Sequence, residues 1–223
     1  MNKPYFHLAT FMFILLTIGS FKTMNAQPIA VFETTAGTFR IKLFRETPKH
    51  SENFVKLIKS GYYDSVLFHR VISGFMVQTG DPNSKSAQKG QQLGDGGPGY
   101  TIPAEFNPEL FHKKGAIAAA RLGDQMNPAK SSSGSQFYIV QGQVLTQAQL
   151  DMLVNSGRHP EFTSDQKIAY TTLGGTPHLD NNYTVFGEIS EGLDVIDNIA
   201  ASATDERNRP IDDIRVIRAY IEE

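Results

Sequence analysis

The residues with the most chemical potential fall in one run, FHRVISGFMVQTGD, at positions 68–81. His69, Arg70 and Gln78 supply an imidazole, a guanidinium and an amide, set among Phe68, Val71, Ile72, Phe75, Met76 and Val77. Apolar neighbours put these groups in or beside a dry environment, where an unpaired charge costs on the order of several kcal/mol. Arg70 is therefore either paired with a carboxylate, such as Asp81 or Glu105, or used on a ligand. SQFYIV (135–140) adds Gln136 and Tyr138, and LDNNYTVFG (179–187) adds Leu179 and Tyr183. These residues could together form an aromatic surface with one strong cationic donor and two amides.

Other catalytic patterns are missing from the sequence. There are no cysteines, which excludes disulfides, thiol catalysis and cysteine–zinc sites. The six histidines (7, 50, 69, 112, 159, 178) show no H-x-x-x-H or H-E-x-x-H spacing, so no metal is expected. No G-x-S-x-G elbow is present, and SSSGSQ (131–136) reads as a turn entering a strand. GDGGPG (94–99) matches G-x-G-x-x-G in letters only. Polar KSAQKGQQL precedes it and Pro98 interrupts it, so it reads as a loop, and no cofactor is expected. A net charge of −2 without a basic stripe argues against nucleic acid as a partner.

The elements that must hold the run are short. With 40% hydrophobic and 20% charged residues, the 223-residue chain suits one globular domain. IAVFETTAGTFRIKLF (29–44) reads as a β-hairpin turning near Gly37. Thr47-Pro48 offers an N-cap and N1 proline, and Phe54, Leu57 and Ile58 recur at helical spacing before Gly61. Strands are expected at 66–72, 75–79, GAIAAAR (115–121), SQFYIV and TVFGEI (184–189). A helix LDVIDNIA (193–200) and a closing strand in IDDIRVIRAYIEE (211–223) follow. Many short strands with a helix near each end predict a β-barrel or sandwich with covering helices. Thr146…Gln149 and Thr163…Gln166 both have capping-box spacing, predicting an inserted helical hairpin over about 146–173.

Residues 1–26 differ in character. Lys3 is followed by the apolar run LATFMFILLTIG (8–19) and a polar stretch ending at Ala26. About a dozen apolar residues are too few for a membrane span of roughly 20 but suit a signal peptide. Its removal leaves 19 basic against 23 acidic residues, a charge of −4. The expectation is a signal segment, 1–26, and a domain over 27–223 exported to the periplasm or secreted, with no stable membrane insertion after processing; the competing expectation for 1–26 is an uncleaved anchor or a buried helix.

FHRVISGFMVQTGD, GSQFYI and YTVFG, in that order, resemble the three signature blocks of the cyclophilin family of peptidyl-prolyl cis–trans isomerases. The resemblance spans about 29–220. It implies a mainly β fold, a closed eight-stranded antiparallel β-barrel capped by two α-helices, carrying its site on the outer face. It implies that Arg70 is the catalytic arginine and that Gln78 helps to hold it. Phe75, Met76 and Leu179 would wall a proline pocket floored by Tyr138, where the family usually has phenylalanine. His69, Ala120, Arg121 and Gln136 would lie along the peptide groove, and Tyr183 would replace a frequent histidine. His178 falls where drug-binding members have tryptophan, and this chain has none.

The implied function is acceleration of X-Pro bond rotation in unfolded or extended polypeptides, assisting protein folding. The partners are proline-containing polypeptides, and the expected state is a monomer. The competing expectation is a non-catalytic peptide-binding chaperone or interaction module on the same fold. The N-terminal reading makes its own prediction: exported protein begins at Gln27, and N-terminal sequencing that returned Met1 would refute it.

Overall fold

Ile29–Thr34 (β1) and Gly37–Leu43 (β2) form an antiparallel hairpin joined through Thr35-Ala36. Phe32 and Phe39 face each other across it, their rings stacked at 5.3 Å. The computed structural model describes residues 27–222; the expected signal segment lies outside the described residues. After β2 comes the helix Pro48–Lys59 (α1), which buries Phe54, Leu57 and Ile58, the three positions singled out by spacing. Its N-terminus is not capped by the Thr47 side chain. The Glu105 carboxylate instead accepts the main-chain N–H groups of Lys49 (3.1 Å) and His50 (3.0 Å). This places a negative charge where the helix presents unpaired donors.

The remaining strands are Arg70–Ile72 (β3), Met76–Thr79 (β4), Thr101–Ile102 (β5), Ala116–Ala119 (β6), Ser132–Ser133 (β7), Phe137–Val140 (β8), Val185–Glu191 (β9) and Val216–Glu222 (β10). Helix Leu193–Ala200 (α4) follows β9. Eight strands form one antiparallel sheet in the order β10-β1-β2-β9-β6-β8-β4-β3, and β5 pairs with β7 alone. The sheet is open, not the closed barrel implied by the resemblance. Its edges, β3 and β10, share no ladder. The chain ahead of β3 meets the chain ahead of β10 through a short seam, with one bridge at Leu67–Arg215 and a 2.9 Å bond from the Phe68 N–H to the Ile214 carbonyl. A three-residue β3, entered soon after Ser65 at φ 69°, is too short and irregular to continue the ladder.

The inner face of the sheet, with α1 and α4, encloses a core rich in aromatics: Phe32, Phe39, Phe54, Tyr63, Phe137 and Phe186. Side chains alternate along a strand, so β4, β6 and β8 each have a second face. Val71, Val77, Ile117 and Ile139 point into the core, whereas Met76, Ala118, Tyr138 and Val140 belong to a separate apolar cluster on the other side. Strands covered on both faces read as near-continuous apolar runs. This explains why the run 68–81 interleaves core residues with functional ones.

Gln147–Asn155 (α2) and Ser164–Thr172 (α3) form the helical hairpin, and both capping boxes, at Thr146/Gln149 and Thr163/Gln166, are present. The chain leaves and returns through paired backbone at Gln143 and Gly175, and Gly142 lies so close to Gly175 that a Cβ has no room. Leu150, Phe162 and Tyr170 make a small core beneath the helices.

A buried carboxylate docks the hairpin. Asp180 accepts from the Tyr170 hydroxyl (2.6 Å) and from His159 Nε2 (3.1 Å), both on one oxygen. His159 Nδ1 lies 2.7 Å from the Pro160 carbonyl. Both His159 partners only accept, so both ring nitrogens carry protons and the ring is cationic. Burial acts to lower the pKa of His159, but the hydrogen bonds to Asp180 and Pro160 raise it above the usual histidine value. Burial likewise pushes the Asp180 carboxyl up, yet donation from His112, His159 and Tyr170 holds it down at about 2.

The signs of these shifts set two pH windows. The Asp180 contribution is present above the usual carboxylate range and is lost only as pH falls toward about 2. The His159 contribution is full below the ordinary histidine value and is lost as pH rises through the raised one. Hydrogen exchange corrected for intrinsic rates should therefore show α2 and α3 losing protection relative to β1 and β2 as pH rises from 6 to 9. His159→Gln should abolish that pH dependence. Unchanged hairpin protection in the wild-type protein would refute a charged dock.

Candidate active site

Arg70 and Gln78 are direct partners across the β3–β4 pair, followed by Gln78–Tyr138 across β4–β8 and Tyr138–Ala118 across β8–β6. Cross-strand partners share a face, so this row runs over the outer face of the sheet. The short Ser73–Phe75 turn creates the Arg70–Gln78 opposition.

Arg70 Nη1 donates to Gln78 Oε1 at 3.2 Å and lies 3.8 Å from Met76 Sδ. Among the described residues no carboxylate forms an ion pair with it. The two carboxylates considered from sequence are engaged elsewhere: Asp81 accepts from the N–H groups of Asn83 and Gly94, and Glu105 caps α1. Arg70 is instead held by a chain of amides. Gln78 Nε2 donates to Gln136 Oε1 (3.0 Å), and Gln136 Nε2 donates to the carbonyls of Gly94 (2.7 Å) and Gly96 (2.8 Å). Those fixed carbonyls orient Gln136, which orients Gln78, which presents its oxygen to Arg70. A guanidinium has five N–H donors, so this single restraint leaves others available to a ligand.

Beside Arg70 is a cavity of about 160 Å³ lined by Arg70, Phe75, Met76, Gln78, Ala120, Arg121, Tyr138, Leu179 and Tyr183. That is well below the roughly 300–1,000 Å³ of pockets for drug-sized ligands and suits a single side chain. Nine of the eleven residues expected from sequence line it. His69 and Gln136 do not. Gln136 is buried behind Gln78 as a link in the amide chain, and His69 is buried near the Gly94 loop, both ring nitrogens without a hydrogen bond among the described residues. Strand alternation turns His69 away from the face that carries Arg70. Burial lowers its pKa.

The walls of the cavity are fixed. Arg121 places its guanidinium 4.5 Å from the Tyr183 ring centroid and donates to the Asn182 and Leu122 carbonyls and the Asp124 carboxylate. Its donors serve the wall. Tyr183 meets Tyr138 edge-on at 5.8 Å. Tyr138 is buried with its hydroxyl 2.9 Å from His112 Nε2. His112 Nδ1 is 2.8 Å from Asp180 Oδ1, which also accepts the His112 main-chain N–H at 2.8 Å. The carboxylate fixes the proton on Nδ1, leaving Nε2 to accept from the phenol. Burial raises the Tyr138 pKa well above its ordinary value, so the hydroxyl stays protonated and donating. The phenol is thus accommodated behind the floor, while the ring faces the cavity. Sequence reasoning did not single out His112, Asp180 or the Gly94 and Gly96 carbonyls. Only the glycine density of 94–99 hinted that backbone had to approach closely there, and Gly96 has no room for a Cβ against Asp81.

The arrangement can bind a small apolar ring and aim one cationic donor at its rim. Among the described residues no cluster of metal-ligating side chains is found. The sequence profile described as "Cyclophilin type peptidyl-prolyl cis-trans isomerase/CLD" matches residues 29–221. A Staphylococcus saprophyticus protein named "Putative peptidyl-prolyl cis-trans isomerase" is 36% identical over 187 residues, covering 83% of this chain and 87% of that protein. A Staphylococcus aureus protein of the same name is 37% identical over 194 residues, covering 86% and 91%. A crystal structure of a Cryptosporidium parvum cyclophilin type peptidyl-prolyl cis-trans isomerase aligns with TM-score 0.63 at 25% identity, over 88% of this chain and 98% of that one. The same protein in the presence of the dipeptide Ala-Pro aligns with TM-score 0.62. The chain therefore belongs to the family of cyclophilin type peptidyl-prolyl cis-trans isomerases.

Proposed function

We propose that the protein accelerates cis–trans rotation of X-Pro bonds in extended polypeptides, on the outer face of the sheet, and so assists folding of exported proteins. The observation that carries this reading is the Arg70 guanidinium, restrained by neutral amides beside a cavity the size of one side chain. Rotation about a peptide C–N bond faces a barrier of about 18–20 kcal/mol and takes ~10–100 s uncatalysed for proline. No bond is broken, so neither nucleophile nor cofactor is required. As the bond twists, nitrogen regains its lone pair. A donor fixed near that nitrogen favours the twisted state over the planar one, the selectivity that catalysis requires. Phe75, Met76, Tyr138 and Leu179 hold the ring while the preceding carbonyl swings. A 10⁵-fold acceleration requires about 7 kcal/mol, of which one preorganised donor supplies roughly 3–4; the clamp and desolvation of the amide supply the rest.

The apolar run at 8–19 supports the view that the protein acts outside the cytoplasm. Among the described residues no helix is long and apolar enough to cross a membrane. We take the acting unit as a monomer, since no heptad seam for a coiled coil runs through the sequence.

Arg70 provides the test. Arg70→Ala should lower kcat/KM for a proline tetrapeptide by two to three decades or so while the protein stays folded, because no buried carboxylate is left unpaired. Arg70→Lys keeps the charge but loses the planar fork, and should lie nearer to alanine than to wild type. Near-wild-type turnover in Arg70→Ala would overturn the mechanism. A wild-type protein that binds the peptide without isomerising it would leave a binding module.

A further inference from the structure

We propose that the groove between α2 and the Ser73–Phe75 turn is a second substrate subsite, which takes an apolar side chain of the polypeptide near its proline, with an acidic group beyond it. The proposal rests on the isomerase reading and deepens it. The groove encloses about 780 Å³, several times the proline cavity, and its apolar lining is Ile72, Phe75, Leu145, Met152, Leu153 and Pro177. Phe75 lines both cavities, so a single side chain separates them. His178 stacks on that ring at 5.6 Å and stiffens the partition. Two or three extended residues span roughly 7–10 Å, enough to cross an aromatic ring. A chain whose proline sits beside Arg70 therefore has the groove within reach on one side.

The lining is unusual for a surface without an occupant. Met152 is 66% exposed and Val144, next to the groove residues Gln143 and Leu145, is 60% exposed. Methionine is flexible and polarisable, and it recurs on surfaces that accept varied apolar side chains. Gln143 and Arg158 supply polar groups at the margin. Arg158 is exposed and forms no ion pair among the described residues, which gives the groove a positive rim and selects an acidic side chain or terminal carboxylate. Five of the lining residues, Gln149, Met152, Leu153, Ser156 and Arg158, come from α2 and the segment just after it. The hairpin thus adds a contact surface to the catalytic face without adding a reacting group.

Fluorescence anisotropy on the full mature protein tests this with a labelled Ala-Pro core tetrapeptide and two longer peptides that carry Leu-Asp three residues before or after the proline. One extended peptide should bind at least tenfold tighter than the core. Met152→Glu and Arg158→Glu, both exposed and outside the catalytic row, should each remove most of that gain while leaving core-peptide turnover unchanged. The proposal is overturned if neither extension gains affinity, or if both variants keep the gain. It is also overturned if Met152→Glu dissolves a concentration-dependent dimer, which would assign the groove to a second copy. An extended peptide that still gains affinity on a wild-type protein inactive toward the tetrapeptide would support the subsite and retire the isomerase reading alone.

Discussion

One buried carboxylate sets the position of much that surrounds it. Asp180 collects four donors: the main-chain N–H and ring of His112, the His159 ring and the Tyr170 hydroxyl. A carboxylate taken out of water is tolerated only when its oxygens are satisfied, so each donor is constrained in turn. His112 is fixed in one tautomer and supports the phenol under the cavity beside Arg70. His159 and Tyr170 fasten the α2–α3 hairpin. Leu179, a cavity wall, is the residue just before Asp180. The floor, one wall and the appended hairpin therefore share a single electrostatic anchor.

The face that carries Arg70 uses the opposite device. Arg70 is a charge near the surface with no carboxylate partner among the described residues, restrained by amides that orient it but do not neutralise it. A carboxylate in Gln78's place would bind the guanidinium more strongly and compete with any substrate for its donors. A chain of neutral amides ending on two glycine carbonyls gives direction at small electrostatic expense. The glycine-rich loop at 94–99, which carries the letters of a nucleotide motif, serves as the fixed end of that chain.

Sequence legibility tracked sequence separation. The α1 face and both capping boxes depend on neighbours within about one turn, and composition and spacing reveal such relations, whereas the Arg70–Gln78 pairing was implied only by the resemblance. Glu105 as the cap of α1 could not be read, because a plausible local cap, Thr47, stood in the expected place. Asp180 reads as an ordinary loop acid, and its partner His112 lies 68 residues away. Gln136 stands out in the sequence as an amide in an apolar run, yet its place behind Gln78 depends on which loop carbonyls approach it. The sheet's failure to close depends on the edges at β3 and β10, which lie at opposite ends of the strand order. Local patterns identify strands but not how two distant edges meet.

The paired backbone at Gln143 and Gly175 has an evolutionary consequence. Because the chain departs and returns at adjoining points, segments of different length can be exchanged there without shifting the strands that carry Arg70 and Tyr138. The junction works as a graft site, where loop-closure entropy changes only slowly with the length of what is inserted. A replacement has one chemical obligation, which is to supply Asp180 with two donors or admit water in their place. Selection at this junction can therefore rework the surface that the hairpin presents while the row from Arg70 to Tyr138 stays untouched.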